Sequence, residues 1–87
     1  MSDETLLVFP CDFPIKMMGR ATPEFHLVVR GLVEKHTGPL EEGTIRSTQS
    51  RHGRFVSITV TVNAQSQQQL DDIYRDVSAH HDVLVAL

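Results

Sequence analysis

The sequence is poor in the residues that build small disulfide-rich or metal-carrying proteins. Its single cysteine, Cys11, cannot form an internal disulfide and cannot supply the Cys-x-x-Cys pair of small copper carriers. No apolar run approaches the roughly 20 residues that a membrane helix needs. The amino terminus has two acidic residues where a secretory signal requires positive charge. These absences predict a cytoplasmic protein without a membrane segment.

Positive charge is also scarce. The chain has 8 Lys and Arg residues against 11 Asp and Glu residues, which gives a net charge of -3. Such a chain lacks the overall positive field that attracts a phosphate backbone, so nucleic acid is disfavoured as a partner. With 87 residues, 40% of them hydrophobic, the composition predicts one domain with little room for a deep pocket. We therefore expect its function to use a surface, a loop or a subunit interface.

The order of hydrophobic periodicities predicts the fold. Alternation over two residues indicates strands, and apolar residues three and four apart indicate helices. The expected elements are a strand over 13–19, a helix that begins at Pro23 with Thr22 as its cap and is stopped by Thr37, Gly38 and Pro39, strands over 44–50 and 55–63, a helix over 67–79 capped by Ser66, and a strand over 82–87. The order β-α-β-β-α-β predicts a ferredoxin-like α+β sandwich, with strands one and three central and both helices on one face. Residues 1–8 are expected to form a flexible arm and residues 9–87 the domain.

A basic cluster surrounds the predicted second hairpin. Arg46, Arg51 and Arg54 lie in or beside it, together with His52. Arginine offers a planar fork of donors, so the cluster could hold a phosphate or a carboxylate. The competing interpretation is that positive charge on an edge strand and its turn keeps that edge from pairing with another chain.

The turn between strand one and helix one is a second candidate site. Gly19, Arg20 and Thr22 lie where helix amides could receive a small anionic ligand, and Lys16 lies on the strand that leads to this turn. Acylphosphatases place a catalytic arginine at the matching position, which makes a small hydrolase one alternative. Pro23 removes one amide donor from that cradle, and an ordinary helix start explains the same residues.

RNA binding through the open sheet face is another alternative. Lys16 and Met18 of strand one are expected beside a row of strand-three residues, which comprises Phe55, Ser57, Thr59 and Thr61. RNA-recognition domains of this topology stack bases on several aromatic residues of these strands. Here only Phe55 is aromatic, so a solvated or partner-covered face is the simpler interpretation.

The five histidines predict neither a metal site nor a catalytic base. His80 and His81 are adjacent and would point to opposite sides of an extended chain, and no metal-ligand spacing is present. His36, in the last turn of helix one, is expected to complement the helix dipole. Cys11 is expected to be a loop thiol without a base beside it. We therefore predict no cofactor and no enzymatic activity.

The last predicted strand, VLVAL, is apolar on both faces although it ends the sheet. This pattern indicates a homo-oligomer or a partner protein at that edge. Together these features predict a non-enzymatic regulatory or binding module that self-associates and binds a small anionic metabolite or a partner protein.

The run FPCDFPIKMMGRATPEF, followed by His36, SRHGRFVSITVTVNA and the final VLVAL, resembles the YbeD family of small bacterial proteins of unknown function. The resemblance implies a ferredoxin-like fold similar to ACT regulatory domains, which bind amino acids at subunit interfaces. Some members carry the label of proposed lipoate regulatory protein. An ACT site usually has an acidic or asparagine residue near the end of strand one and a Pro-Gly pair in the turn. This chain departs from that pattern, because it has Met18, Gly19 and Arg20 followed by Thr22-Pro23.

Overall fold

The computed structural model describes residues 7–87, so most of the predicted arm lies outside the described residues, while Leu7 and Val8 are exposed. The elements are β1 (Cys11–Arg20), α1 (Pro23–Thr37), β2 (Ile45–Gln49), β3 (Phe55–Ala64), α2 (Gln67–Ala79) and β4 (Val85–Ala86), with a 3-10 turn at Glu42–Thr44. This order confirms the predicted α+β fold.

The strands form one antiparallel sheet in the order β2-β3-β1-β4. β1 and β3 are central, as predicted, and are paired over their whole length from Cys11↔Ala64 to Arg20↔Phe55. Cys11 is therefore part of β1, and its assignment to a loop was wrong. The strand extends to Cys11 because β3 is long enough to pair with it.

Pro14 lies inside this central strand without breaking it. Lys16 exchanges two backbone hydrogen bonds with Leu87, at 3.0 and 2.8 Å, so its N–H faces β4. Because backbone direction alternates along a strand, the nitrogen of Pro14 faces the same side, away from β3. The backbone pairing between β4 and β1 covers Met17 and Met18 and ends at Lys16. The missing donor of Pro14 therefore removes no bond between β1 and β3.

The hydrophobic core lies between the sheet and the two helices. It contains every second residue of β1 and β3 and one stripe from each helix: Ile15, Met17, Val56, Ile58, Val60, Val62, Ala64, Phe25, Val29, Val33, Leu70, Ile73 and Val77, together with Val83. Burial of each larger side chain contributes roughly 1.5 to 3 kcal/mol. The opposite face of the sheet carries no helix and is called the open face below.

The two helix starts differ from each other. The Ser66 hydroxyl accepts a hydrogen bond from the Gln69 amide at 3.1 Å, which confirms the predicted cap. Thr22 makes no side-chain cap, so that prediction was wrong. A side-chain cap is less needed here, because Pro23 at the first position of the helix has no amide hydrogen that would require an acceptor.

The last strand is shorter than predicted. Only Val85 and Ala86 form β4, because the residues before them turn toward the sheet. The Val83 amide donates to the His80 carbonyl at 3.0 Å, and the Leu84 amide donates to the Met18 carbonyl at 2.8 Å. Val83 is thereby buried, while Leu84, Val85 and Leu87 remain exposed.

Candidate binding surface

Gly19, at the end of β1, is required by packing. A Cβ atom built on it would lie 2.5 Å from the carbonyl oxygen of Asp82 and 2.6 Å from Cζ of Phe25. The ring of Phe25 and the loop before β4 therefore occupy the space that a side chain would need. This contact explains the glycine without a ligand.

The backbone amides of the turn after β1 already have partners. The Ala21 amide donates to the Arg54 carbonyl at 2.9 Å, and the Thr22 amide donates to the Arg20 carbonyl at 2.9 Å. The Phe25 amide donates to the Thr22 carbonyl at 3.2 Å. An anion held by these amides would have to displace those carbonyls.

A cleft of about 240 Å³ opens at this turn. It is lined by Arg20, Thr22, Phe25, His81, Asp82 and Leu84. The structure therefore brings Arg20 and Thr22 together with Asp82 in the wall of one cleft. The Asp82 carboxylate lies 3.3 Å from Nε2 of His81, so a negative charge belongs to the same loop.

His80 and His81 stack on each other rather than pointing to opposite sides, with ring centroids 4.8 Å apart and planes 16° apart. The chain turns here instead of continuing extended. With Asp82 they form a cluster whose potential ligand atoms lie within 4.8 Å of one another. The Nδ1 atom of His80 accepts a hydrogen bond from the Asp82 amide at 3.1 Å, so the neutral ring carries its proton on Nε2. Coordination through Nε2 would move the proton to Nδ1 and break this bond, which counts against His80 as a ligand.

The residues of the open face follow from the strand register. Arg46 of β2 lies opposite Thr59 of β3, which lies opposite Lys16 of β1. In the neighbouring row, Thr48, Ser57, Met18 and Val85 lie side by side across the four strands. The sequence-based expectation that Lys16 and Met18 lie beside the strand-three residues is therefore confirmed.

The Lys and Arg residues fall into two groups, those on the helices, which have carboxylate partners, and those on the sheet and its hairpin. On the helices, Arg30 contacts Glu34 at 3.2 Å and Glu42 at 3.1 Å, Lys35 contacts Asp76 at 3.4 Å, and Arg75 contacts Asp72 at 3.0 Å. The remaining cations lie on the open face, at its edge or in the hairpin, and are Lys16, Arg20, Arg46, Arg51 and Arg54. Within residues 7–87, none of these has a carboxylate within 4.0 Å.

The predicted ligand residues and the predicted anion patch adjoin each other: Lys16, Arg20 and Arg46 lie on the open face by register, and Arg51 and Arg54 lie in the hairpin between β2 and β3. Lys16 and Arg20 come from the first group, and Arg46, Arg51 and Arg54 from the second. Gly19 and Thr22 do not belong to this surface, because Gly19 is buried on the helix side of β1 and Thr22 lies beyond the end of that strand. We call the surface formed by these five cations and the residues between them the basic face.

Arg20 and Phe55 form a contact that sequence reasoning missed. They are paired across β1 and β3, and the guanidinium carbon of Arg20 lies 6.0 Å from the centroid of the Phe55 ring. A cation over an aromatic face is attracted by the ring's quadrupole. The predicted pairing of these strands was the signal that could have revealed it.

His36 has a structural partner that local spacing does not reveal. Its Nε2 atom lies 2.6 Å from Oδ2 of Asp76, forty residues further along the chain, so the pair links α1 to α2. The hydrogen bond from His36 is the main cause that lowers the pKa of Asp76. His36 therefore serves the helix pair rather than a site on the basic face.

Comparison with known proteins identifies the family. Residues 4–87 match the family described as "Protein of unknown function (DUF493)". The chain belongs to the DUF493 family. This DUF493 chain is 41% identical to a UPF0250 protein of Paraburkholderia phytofirmans over 98% of its own length and 96% of the relative's. It is 43% identical to a UPF0250 protein of Chromobacterium violaceum and 36% identical to one of Nitrosomonas europaea, each over both whole chains.

The solution structure of protein HP0495 from H. pylori has the same fold as this DUF493 chain. The TM-score is 0.75 at 17% sequence identity, over 99% of this chain and 90% of that one. The likeness confirms the ferredoxin-like architecture. The predicted resemblance to a small family of unknown function is likewise confirmed.

Within the described residues, neither helix has the length and apolar character of a membrane span.

Proposed function

We propose that the protein is a non-enzymatic binding module that receives an anionic partner on its basic face. One observation carries this proposal. The helix-side cations Arg30, Lys35 and Arg75 are each paired with a carboxylate, whereas the five cations of the basic face have none within 4.0 Å among residues 7–87. A net acidic chain thus presents one locally positive surface.

Such a surface attracts an acidic partner through its field and through individual ion pairs. Exposed ion pairs contribute only about 0.2 to 1 kcal/mol each, so several must act together. Complementary charge chiefly raises the association rate and selects the partner. A regulatory protein that binds reversibly has these properties.

Self-association through the basic face is disfavoured, because two copies would bring like charges together. The edge at β4 is the better candidate for self-association. Leu84 and Leu87 are 53% and 65% exposed there, beside the short strand. A dimer formed at that edge would leave Arg46 and the hairpin arginines accessible to another partner, because β2 lies at the opposite edge of the sheet.

Two of the histidines have structural partners. His36 binds Asp76, and His80 accepts the Asp82 amide. Within residues 7–87, none of the described hydrogen bonds joins a histidine to a serine, threonine or cysteine, which is the contact that activates a nucleophile.

Two-dimensional NMR of the nitrogen-labelled protein tests the proposal. The probes are citrate, an oligoglutamate peptide and a single-stranded RNA oligonucleotide, each added at low ionic strength. We expect at least one probe to shift the amide signals of β1, β3 and the hairpin while leaving those of α2 in place. The shifts should disappear at about 1 M salt, where the Debye length is about 3 Å.

Arg46→Gln and Arg75→Gln provide a matched pair of variants for this experiment. Each removes one exposed positive charge, the first on the basic face and the second on α2. We expect only Arg46→Gln to reduce the shifts. Shifts confined to the helices, or none with all three probes, would contradict the proposed function.

A further inference from the structure

Apolar side chains lie among and beside the cations of the basic face, and they narrow the class of partner that the face could bind. They share the open face and are exposed or half-buried: Met18, Phe55, Val85 and Leu87. From the proposed function we infer that the anionic partner is a protein segment that combines acidic residues with a large apolar side chain. That side chain would contact Met18 and Phe55, and the carboxylates beside it would pair with Lys16 and Arg20.

The register places the apolar residues in one continuous strip. Val85 lies directly opposite Met18, and Leu87 pairs with Lys16 through two backbone bonds. Phe55 lies diagonally from Met18, in the row of Arg20. Adjacent strands are about 4.8 Å apart, so the strip runs obliquely across β4, β1 and β3.

A shallow cleft of about 220 Å³ adjoins this strip. Met18, Phe55 and Ser57 form part of its wall, with Thr48, Gln49, Ser50 and Val56 completing it. An apolar side chain placed there would remove Met18 and Phe55 from water. Full burial of an apolar side chain contributes more to binding than an exposed ion pair does.

Positive charge flanks the apolar strip within β1 itself. Lys16 and Arg20 lie two residues before and two residues after Met18, on the same face. At about 3.3 Å per residue, their Cα atoms are roughly 13 Å apart, with Met18 midway. A partner side chain seated over Met18 would therefore have a cation on each side. Acidic residues next to that apolar side chain fit this arrangement.

A nucleic acid fits the same surface less well. Sequence-tolerant binding of single strands depends on aromatic faces on which bases stack. Phe55 is the only aromatic residue at the open-face positions of β1 and β3, and the Arg20 guanidinium already lies over its ring. The aliphatic neighbours Met18 and Val85 offer no stacking plane. They offer an apolar contact that suits a protein side chain.

Selection of peptides from a random display library on the intact protein tests this inference. We expect the enriched peptides to carry Asp or Glu next to a large apolar residue. A synthetic peptide of the enriched sequence should bind about tenfold more weakly to Met18→Gln and to Arg20→Glu. Leu27→Gln and Arg75→Glu make matched changes at exposed helix positions and should leave binding unchanged.

The outcomes separate the inference from the proposed function. Enriched peptides without acidic residues, no enrichment, or equal weakening by Leu27→Gln and Met18→Gln would overturn the inference. If RNA alone bound and lost its affinity in Lys16→Glu, the basic face would stand as an anion site with a nucleic acid as its partner. If neither probe class bound this face, both the inference and the proposed function would fail.

Discussion

The guanidinium carbon of Arg20 lies 6.0 Å from the centroid of the Phe55 ring, across the central pair of strands. The contact joins the last residue of β1 to the first residue of β3. It places a cation and an apolar surface side by side at one end of the open face. The same combination recurs at Lys16 and Met18, so the open face is both charged and partly apolar.

Gly19→Ala is expected to destabilise the protein. The added methyl group would lie 2.5 Å from the Asp82 carbonyl oxygen, which belongs to the backbone and cannot simply rotate away. Overpacking of this kind typically lowers the free energy of unfolding by about 1 to 3 kcal/mol, which urea unfolding can measure.

Gly31→Ala is the control, since nothing lies within 4 Å of its Cβ position in α1. It should stabilise the helix by about 0.5 to 1 kcal/mol. Equal stability of Gly19→Ala and the wild type would show that the close packing at β1 is not a constraint.

Asp76→Asn is expected to reduce the acid sensitivity of the fold. The hydrogen bond from His36, followed by that from Lys35, lowers the pKa of Asp76 below its ordinary value of 3.8. A carboxylate with a lowered pKa contributes stability that is present above the ordinary pKa and is lost as the pH falls through the folded-state value. The free energy of unfolding, measured with urea from neutral pH to acid, should therefore fall less in Asp76→Asn than in the wild type. Asp71→Asn, an exposed change on the same helix, should retain the wild-type dependence of the free energy of unfolding on pH. The same dependence in Asp76→Asn would contradict a role of Asp76 in the acid sensitivity.

Glu34→Gln is expected to loosen the segment that follows α1. The Leu40 amide donates to Oε2 of Glu34 at 2.8 Å, and this bond is the main cause that lowers the pKa of Glu34, followed by the bond from Arg30. Arg30 also donates to the Leu40 carbonyl at 3.0 Å. Hydrogen exchange of the Leu40 amide should accelerate in the variant, while that of the Val60 amide in the core should not. Unchanged exchange at Leu40 would mean that this bond does not hold the segment.

Arg20→Ala is expected to leave hydrolysis of acyl phosphates at the wild-type level. The amides of Ala21 and Thr22, which a phosphate cradle would need, already donate to carbonyl oxygens. The same variant should weaken binding of an anionic peptide, because Arg20 belongs to the basic face. Loss of a measurable hydrolytic activity in Arg20→Ala would favour the enzyme alternative.

The architecture could be predicted because the alternation of buried and exposed residues within each strand or helix is a local pattern of the sequence. Val56, Ile58 and Val60 occupy the inner face, and Lys16 lies beside Thr59, as the periodicity indicates. The stacked His80 and His81 were not predicted, because their geometry depends on a turn that packs against the end of β1.

Long-range contacts account for the remaining differences between prediction and structure. The bond between His36 and Asp76 joins residues on different helices, and no local pattern encodes it. Sequence reasoning located Lys16, Arg20 and Arg46 as candidates for anion binding. It could not show that they share a surface whose cations have no carboxylate close by within residues 7–87, since that depends on where acidic side chains from other elements lie.

The affinity of an oligoglutamate peptide for Lys16→Glu and Arg75→Glu tests the central claim most directly. Both substitutions change the net charge equally, but only the first lies on the basic face. We expect Lys16→Glu to raise the Kd about fivefold or more at low salt, which corresponds to about 1 kcal/mol, and Arg75→Glu to leave it within about twofold. Equal effects of the two variants would show that the peptide responds to net charge alone, and would contradict a binding site on the open face.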